Sequence, residues 1–151
     1  MDGPHTFQIA PTALLEVCMC HMTRRAARAL SRAYDAALAA TGLTSAQFTL
    51  LASVAAFGPV AISELSGLLL MEASTLSRNL QALRKAGFVN WREGSGRRPA
   101  QITLSESGHK ALATAIPAWQ DMQRAVTERL GSGKASALLE NLEATARALA
   151  E

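Results

Sequence analysis

Between residues 72 and 104, the spacing of the apolar residues changes from a helical to an alternating pattern. Leu76, Leu80 and Leu83 recur at helical spacing, so we predict a helix from about Glu72 to Ala86. Gly87 follows it directly and is typical of the residue that ends a helix. Few chain architectures place a short amphipathic helix directly before a β-hairpin, so this change of pattern limits the fold more than any other feature.

The alternating pattern indicates a β-hairpin. Val89 and Trp91 point to one side of the first strand, and Ile102 and Leu104 continue the pattern in the second. The connecting loop, residues 93–99, contains two glycines and the adjacent arginines Arg97 and Arg98. We therefore expect a hairpin with a basic, glycine-rich tip.

The rest of the chain is predicted to be helical. Thr44 and Gln47 form the pattern of a capping box, and Gly58-Pro59 ends the helix that follows it. Pro117 lies inside a later helix, where we expect a kink. The predicted helices run over about 14–40, 45–57, 61–69, 72–86, 105–130 and 133–149. The fold class is mainly α with a small β-hairpin wing, that is, a winged helix-turn-helix.

Basic residues are concentrated in the same segment as the predicted helix and hairpin. Residues 72–98 carry a local charge of +4, whereas the rest of the chain sums to −1. A basic patch confined to one segment is what phosphate binding requires. On the polar face of the helix, small hydroxyl residues allow close approach to the major groove and Arg78 can reach a base or a phosphate. The predicted DNA contacts are Ser74, Thr75, Ser77, Arg78 and Gln81 on the helix, with Arg97 and Arg98 on the wing.

Other functional classes find less support in the sequence. No set of nucleophile, base and orienting residue is recognisable, so we do not expect an enzyme, and no cofactor is expected either. No apolar run reaches the ~20 residues of a membrane span, and two cysteines favour a reducing, cytoplasmic compartment. The alternative left open is a helical adaptor that binds RNA or protein without catalysis.

The chain resembles the MarR family of transcriptional regulators over nearly its whole length. The order and spacing of several short stretches carry the resemblance, and no single stretch is specific. The matching stretches are residues 24–30, Gly42-Leu43-Thr44 with Gln47-Phe48, Gly58-Pro59, residues 75–80 with Leu83, Gly87-Phe88-Val89, Arg98 and residues 104–108.

This resemblance implies a homodimer that binds a nearly palindromic operator and releases it in response to a signal. Residues 1–11 would be a flexible arm, and 12–151 a single domain. Within that domain, 12–41 and 106–151 would dimerise and 44–105 would form the DNA-binding lobe. Family members commonly bind a small aromatic or anionic effector between these two regions. The residues expected to line such a site are His21, Met22, Arg25, Phe48, Leu51 and Trp119.

The resemblance also raises the question of redox sensing. Peroxide-sensing relatives carry a reactive cysteine near the start of the first helix, where this chain has Cys20 and, two residues earlier, Cys18. Tyr34 matches one tyrosine that holds the thiolate there, but Arg24 and Ser45 occupy the places of the others. Both cysteines also fit the role of small apolar fillers. No metal site is predicted, because Cys20 does not share the helix face of Cys18 and His21.

Overall fold

The computed structural model describes residues 9–95 and 99–150. Over these residues the chain is mostly helical with one small antiparallel sheet, which confirms the predicted fold class. The elements in chain order are α1 (Pro11–Val17), α2 (Met19–Leu38), a 3-10 turn (Ala39–Thr41), α3 (Ser45–Phe57), β1 (Val60–Ala61), α4 (Ile62–Leu69), α5 (Ala73–Lys85), β2 (Val89–Arg92), β3 (Gln101–Leu104), α6 (Glu106–Leu130) and α7 (Ser132–Leu149).

The first predicted helix is divided in two, which corrects the expectation of one helix over 14–40. Cys18 has an extended backbone between α1 and α2, and its Sγ accepts a hydrogen bond from the backbone N–H of His21 at 3.4 Å. The cysteine thus takes the place of an N-cap residue for α2. The apolar spacing continues across the break, so the periodicity alone did not reveal it. Helix α1 begins at Pro11, and residues 1–8 of the predicted arm lie outside the described residues, so the arm stays a prediction.

The sheet has three strands rather than the two of the predicted wing. In the order β1-β3-β2, Val60 pairs with Ile102 and Ala61 with Gln101. Strand β1 holds only two residues, and both are buried. A segment of two residues is too short to show alternation, and it lies between a helix stop and the next helix. The sequence prediction therefore missed it.

Most of the hydrophobic core lies in the part of the chain between α3 and β3, and Leu38, Leu43 and Ala115 add to it from outside. Leu51, Leu65, Leu76 and Ile102 are each 0% exposed, and they pack with buried residues from every neighbouring element. The predicted capping box of α3 is present: the Gln47 N–H donates to Thr44 Oγ1, and the Thr44 N–H donates to Gln47 Oε1. This part of the chain, residues 44–105, is called the lobe below.

The helices outside the lobe bury much less. Helices α1 and α7 contain no buried residue, and Leu38 is the one buried residue of α2. Helix α6 runs unbroken from Glu106 to Leu130 through Pro117, and the kink expected there stays a prediction. Within the described ranges, no single helix is long and apolar enough to cross a membrane, although the bent pair α2–α3 passes the test on length and composition alone.

Candidate nucleic-acid interface

Helix α5 is held in the lobe by one apolar face. Leu76, Leu80 and Leu83 are each fully buried, and their spacing places them on one side of the helix. Two basic residues, Arg84 and Lys85, occupy the last turn, where they complement the negative end of the helix dipole. The buried leucines fix which face of α5 is turned toward solvent.

The solvent face of α5 carries the residues that the sequence predicted to contact DNA. Ser74, Thr75, Arg78 and Gln81 are exposed, and Ser77 is half-buried. None of the ion pairs among the described residues involves Arg78. The structure therefore places these five residues on one accessible surface. The guanidinium group of Arg78 on this surface is available to an anionic partner.

The hairpin formed by β2 and β3 lies next to α5. Its strands pair from Val89 with Leu104 to Arg92 with Gln101. Arg92 is exposed at the end of β2 and adds a cation that the sequence analysis did not include among the DNA contacts. The predicted wing residues Arg97 and Arg98 lie outside the described residues.

A side-chain contact joins α5 to the hairpin. The guanidinium carbon of Arg84 lies 5.6 Å from the centroid of the Trp91 ring, which is the geometry of a cation–π interaction. Arg84 belongs to the last turn of α5 and Trp91 to the middle of β2. The sequence analysis missed this pair. Arg84 lies on a helix and Trp91 on a strand, and no single spacing pattern connects two such residues.

The base of the hairpin is anchored to the start of α6. Gly87 has a φ of +75°, a conformation that favours glycine, and its carbonyl oxygen accepts hydrogen bonds from Ser105 Oγ and Ser107 Oγ, both at 2.6 Å. Gly108 lies against the backbone of Phe88, where a Cβ atom would come within 2.0 Å of the carbonyl oxygen. The end of α5, the hairpin and α6 thus form one connected unit.

The junction between α2 and the lobe contains a charged hydrogen bond. The backbone N–H of Ser45, at the start of α3, donates to Asp35 Oδ1 at 2.6 Å. Hydrogen bonds from the backbone and the side chain of Ser45 hold the pKa of Asp35 below its usual value, although partial burial opposes them. Asp35 therefore stabilises the positive end of α3 while it ties α2 to the lobe.

A cavity of about 420 Å³ lies between α2, α3, α5 and α6. Phe48 and Trp119, two of the predicted effector residues, line it, and their rings stack with centroids 5.8 Å apart.

The other four predicted residues are not among the residues that line this cavity. Leu51 is fully buried in the core, and the part of α2 that lines the cavity begins at Leu30. His21 and Met22 lie more than two turns before that point, and Arg25 lies five residues before it, about 1.4 turns.

The two cysteines are free and exposed. Tyr34, predicted as a partner of Cys20, lies fourteen residues further along α2, which corresponds to about 21 Å of helix. Its hydroxyl donates a hydrogen bond to Gln123 Oε1, and burial raises its pKa. Within one chain the structure does not bring Tyr34 to either cysteine. No group of three or more metal-ligating side chains occurs among the described residues.

Residues 41–98 match the MarR family. The transcriptional regulator MosR of M. tuberculosis is similar in structure, with a TM-score of 0.75 and 36% sequence identity over 89% of this chain and 98% of MosR. MosR in complex with DNA gives a TM-score of 0.75 and 39% identity, over 87% of this chain and 97% of that chain. The HTH-type transcriptional regulator YwoH of Bacillus subtilis is 27% identical over 92 residues, 61% of this chain and 67% of YwoH.

Proposed function

Because this chain belongs to the MarR family of DNA-binding transcriptional regulators, we propose that it acts as a repressor at a palindromic operator. The observation that carries the proposal is the exposed polar face of α5, where Arg78 makes no ion pair with the described residues and the buried leucines of the helix anchor it in the lobe. A regulator that binds operator DNA works where the chromosome is, so we place it in the cytoplasm.

The proposed reading surface consists of α5 and the wing. Ser74, Thr75, Ser77, Arg78 and Gln81 would enter the major groove. Arg97 and Arg98 would reach the adjacent backbone or the narrower minor groove. The cation–π contact between Arg84 and Trp91 supports this arrangement, because it ties the two parts of the surface together.

The active species is proposed to be a homodimer. Helices α1, α2 and α7 present exposed apolar side chains that the described residues do not cover, among them Val17, Met19 and Leu139. Residues 12–41 and 106–151 would pair with the same residues of a second copy, while 44–105 bind DNA. Two-fold symmetry would then place the two copies of α5 about 34–36 Å apart, one turn of DNA.

The test is a titration of the chain with DNA from upstream of its own gene. The expected result is a discrete complex that excess unrelated duplex does not displace. Arg78→Ala should weaken this complex by about 1–3 kcal/mol, because it removes a direct contact to a base or a phosphate. Arg129→Ala, an exposed arginine at the end of α6, is the matched control. Light scattering first establishes that this variant keeps the mass of the wild type, because α6 belongs to the proposed dimer region, and it should then bind DNA as the wild type does.

Two results would contradict the proposal. Equal affinity for operator and unrelated duplex would indicate an adaptor that binds nucleic acid through charge alone. Unchanged operator affinity in Arg78→Ala would remove α5 from the reading surface.

Release of the operator is proposed to follow either a small molecule or oxidation of a cysteine. For oxidation, the Cys20 thiol would react with hydrogen peroxide to give a sulfenic acid and water. Its exposure supports access by the oxidant. Peroxide should then release DNA from the wild type but not from Cys20→Ser, and Cys18→Ser shows whether the neighbouring thiol is needed. Equal release from the wild type and Cys20→Ser would exclude Cys20 as the sensor.

A further inference from the structure

Four arginines on helix α2 lie outside the DNA surface described above. All four are exposed, and none of the ion pairs among the described residues involves them. Because successive residues of an α-helix are turned by about 100°, the four side chains fall within an arc of about 100° and extend over about 12 Å of the helix axis. They form one basic strip, called the arginine stripe below, which consists of Arg24, Arg25, Arg28 and Arg32.

The arginine stripe is separate from the two other sides of α2. The side toward the lobe carries Leu30, Tyr34 and Leu38, which line the cavity shared with α3 and α5. A third side carries Met19 and Met22, which are 82% and 46% exposed. Both sides are centred about a third of a turn or more from the centre of the stripe. A second copy can therefore cover the methionines and leave the stripe open.

The charges of the other terminal helices do not complement the arginine stripe. Helices α6 and α7 carry five acidic and five basic residues, so their net charge is zero. In α2, Asp35 is the one acidic residue, and it already binds the backbone N–H of Ser45. Helices α1, α2, α6 and α7 together carry nine basic and seven acidic residues, and a second copy doubles this positive excess. The partner of the stripe is therefore an anion from outside the dimer.

The phosphate backbone of a DNA duplex matches the arginine stripe in charge and length. A length of about 12 Å spans about three to four phosphates of one strand. Arginine binds phosphate through two parallel N–H groups, which gives direction as well as charge. Between Arg24 and Arg32, the residues at the edges of the stripe are small and exposed, so a rigid duplex can approach closely. These residues are Ala27, Ala29 and Ser31.

An anionic membrane matches this side of α2 less well. A helix that lies on a lipid surface carries large apolar side chains on the face that enters the lipid, directly beside its basic residues. The edges of the arginine stripe carry only alanine and serine between the first and the last arginine. The stripe therefore offers charge without an apolar anchor, which suits contacts to a phosphate backbone.

We propose that the arginine stripe binds the backbone of a second DNA duplex while α5 holds the operator, so that one dimer connects two DNA segments. The stripe is turned about a third of a turn away from the lobe, and Arg24 lies about 9 Å before Leu30, where α2 begins to line the cavity. A duplex seated on α5 is therefore not the one that the stripe contacts. The connection of two segments rests on the function proposed above, whereas duplex binding by the stripe does not.

Three variants test the stripe. The stripe variant combines Arg24→Gln, Arg28→Gln and Arg32→Gln. The lysine variant changes the same three residues to lysine and keeps the charge. The control variant loses the same charge from exposed arginines of α6 and α7, through Arg124→Gln, Arg129→Gln and Arg147→Gln. Light scattering first compares the mass of each variant with that of the wild type, because all these helices belong to the proposed dimer region.

Duplex binding by the stripe is tested without operator DNA. Sedimentation at about 50 mM salt, where phosphate contacts are strong, counts the short duplexes of unrelated sequence that each dimer holds. We expect the wild type to hold duplexes on its lobes and on its stripes. The stripe variant should lose the second set, with an affinity at least about tenfold lower. The control variant and the lysine variant should keep it, because a phosphate contact depends on charge.

Three results would overturn the proposal. The first is a wild type that holds duplexes on its lobes alone, and the second is an equal count for the stripe and control variants. The third is binding of the stripe to phosphatidylglycerol vesicles without a second duplex, which would assign this surface to a membrane. If the stripe variant changes its mass, the lysine variant decides: wild-type mass without a second duplex would equally contradict a role for charge.

The connection of two segments is tested by capture. Operator DNA is immobilised, the full chain is bound to it, and a labelled duplex of unrelated sequence is added. We expect capture by the wild type that falls at least about tenfold between 50 and 200 mM salt, and none by the stripe variant, although both hold the operator equally well. An operator complex that captures no second duplex would contradict this inference alone. Loss of the operator complex itself would contradict the proposed function, and the duplex count would still test the stripe.

Discussion

At the scale of single residues, two of the contacts that connect the lobe to the helices around it can be tested separately. Gly108 allows the start of α6 to lie against the backbone of Phe88, and Asp35 binds the first backbone N–H of α3. Each depends on one atom or one charge, so each can be tested by a small substitution.

Gly108→Ala should destabilise the fold by about 1–3 kcal/mol, the usual cost of forcing an extra carbon into a packed site. The added Cβ would lie 2.0 Å from the Phe88 carbonyl oxygen, which belongs to the backbone and cannot rotate away. Urea unfolding measures the loss. Gly67→Ala in α4 is the control, because no described atom lies within 4 Å of the added carbon there, and it should be neutral or stabilising. Equal stability of the two variants would show that α6 does not pack this closely.

Asp35→Asn should lower the stability at neutral pH but not in acid. The folded-state pKa of Asp35 is depressed, so its carboxylate contributes stability that is fully present above the unfolded pKa of about 3.9. This contribution is lost as the pH falls through the folded pKa. Melting temperatures measured from pH 7 downwards should therefore converge for wild type and variant in acid. A gap that stays constant with pH would show that the charge of Asp35 contributes nothing.

At the scale of elements, the relation between α5 and the hairpin determines the proposed DNA surface. Arg84→Met removes the cation and keeps an apolar side chain. It should lower the free energy of unfolding by about 0.5–1 kcal/mol, because the contact with Trp91 is lost. Lys85→Met is the matched control, because Lys85 is the adjacent exposed cation of the same helix turn. A double-mutant cycle with Trp91→Leu measures the interaction energy directly. A coupling energy of zero would mean that the two elements are held together by the core alone.

Sequence periodicity was sufficient to predict most of these elements. The leucines of α5, the alternation of β2 and β3 and the capping box at Thr44 are local patterns, and each is present in the structure. Features that depend on distant residues were missed. Strand β1 exists because it pairs with β3, some forty residues later, and its two residues carry no pattern of their own.

The site was predictable to a similar degree. The polar face of α5 follows from the positions of its leucines, so its exposure was expected from the sequence. The cavity was not predictable in this way, because its lining depends on where α2 and α6 cross the lobe. The break at Cys18 was missed for another reason. Helix α1 buries no side chain, so the spacing of its apolar residues is unrelated to packing within the chain.

At the scale of the whole molecule, the apolar surface of the terminal helices is the basis of the proposed dimer. Leu139 on α7 is 61% exposed, and Leu139→Glu should weaken the dimer, because it would bury a charge without a partner. Light scattering coupled to size-exclusion chromatography measures the mass. Leu68→Glu in α4 is the control, with a leucine 55% exposed on the lobe, and should leave the mass unchanged. A wild type with the mass of one chain would contradict the proposed dimer.

Because α1 and α7 contain no buried residue, the stability of this protein should depend on its concentration. If the partner copy provides most of the cover for these helices, then association contributes to folding free energy through mass action. The melting temperature would rise with protein concentration, and hydrogen exchange in α1 and α7 would accelerate on dilution before exchange in α5 does. A cell that holds few copies would thus keep part of them unpaired, so the amount of protein itself would set how much repressor is competent to bind.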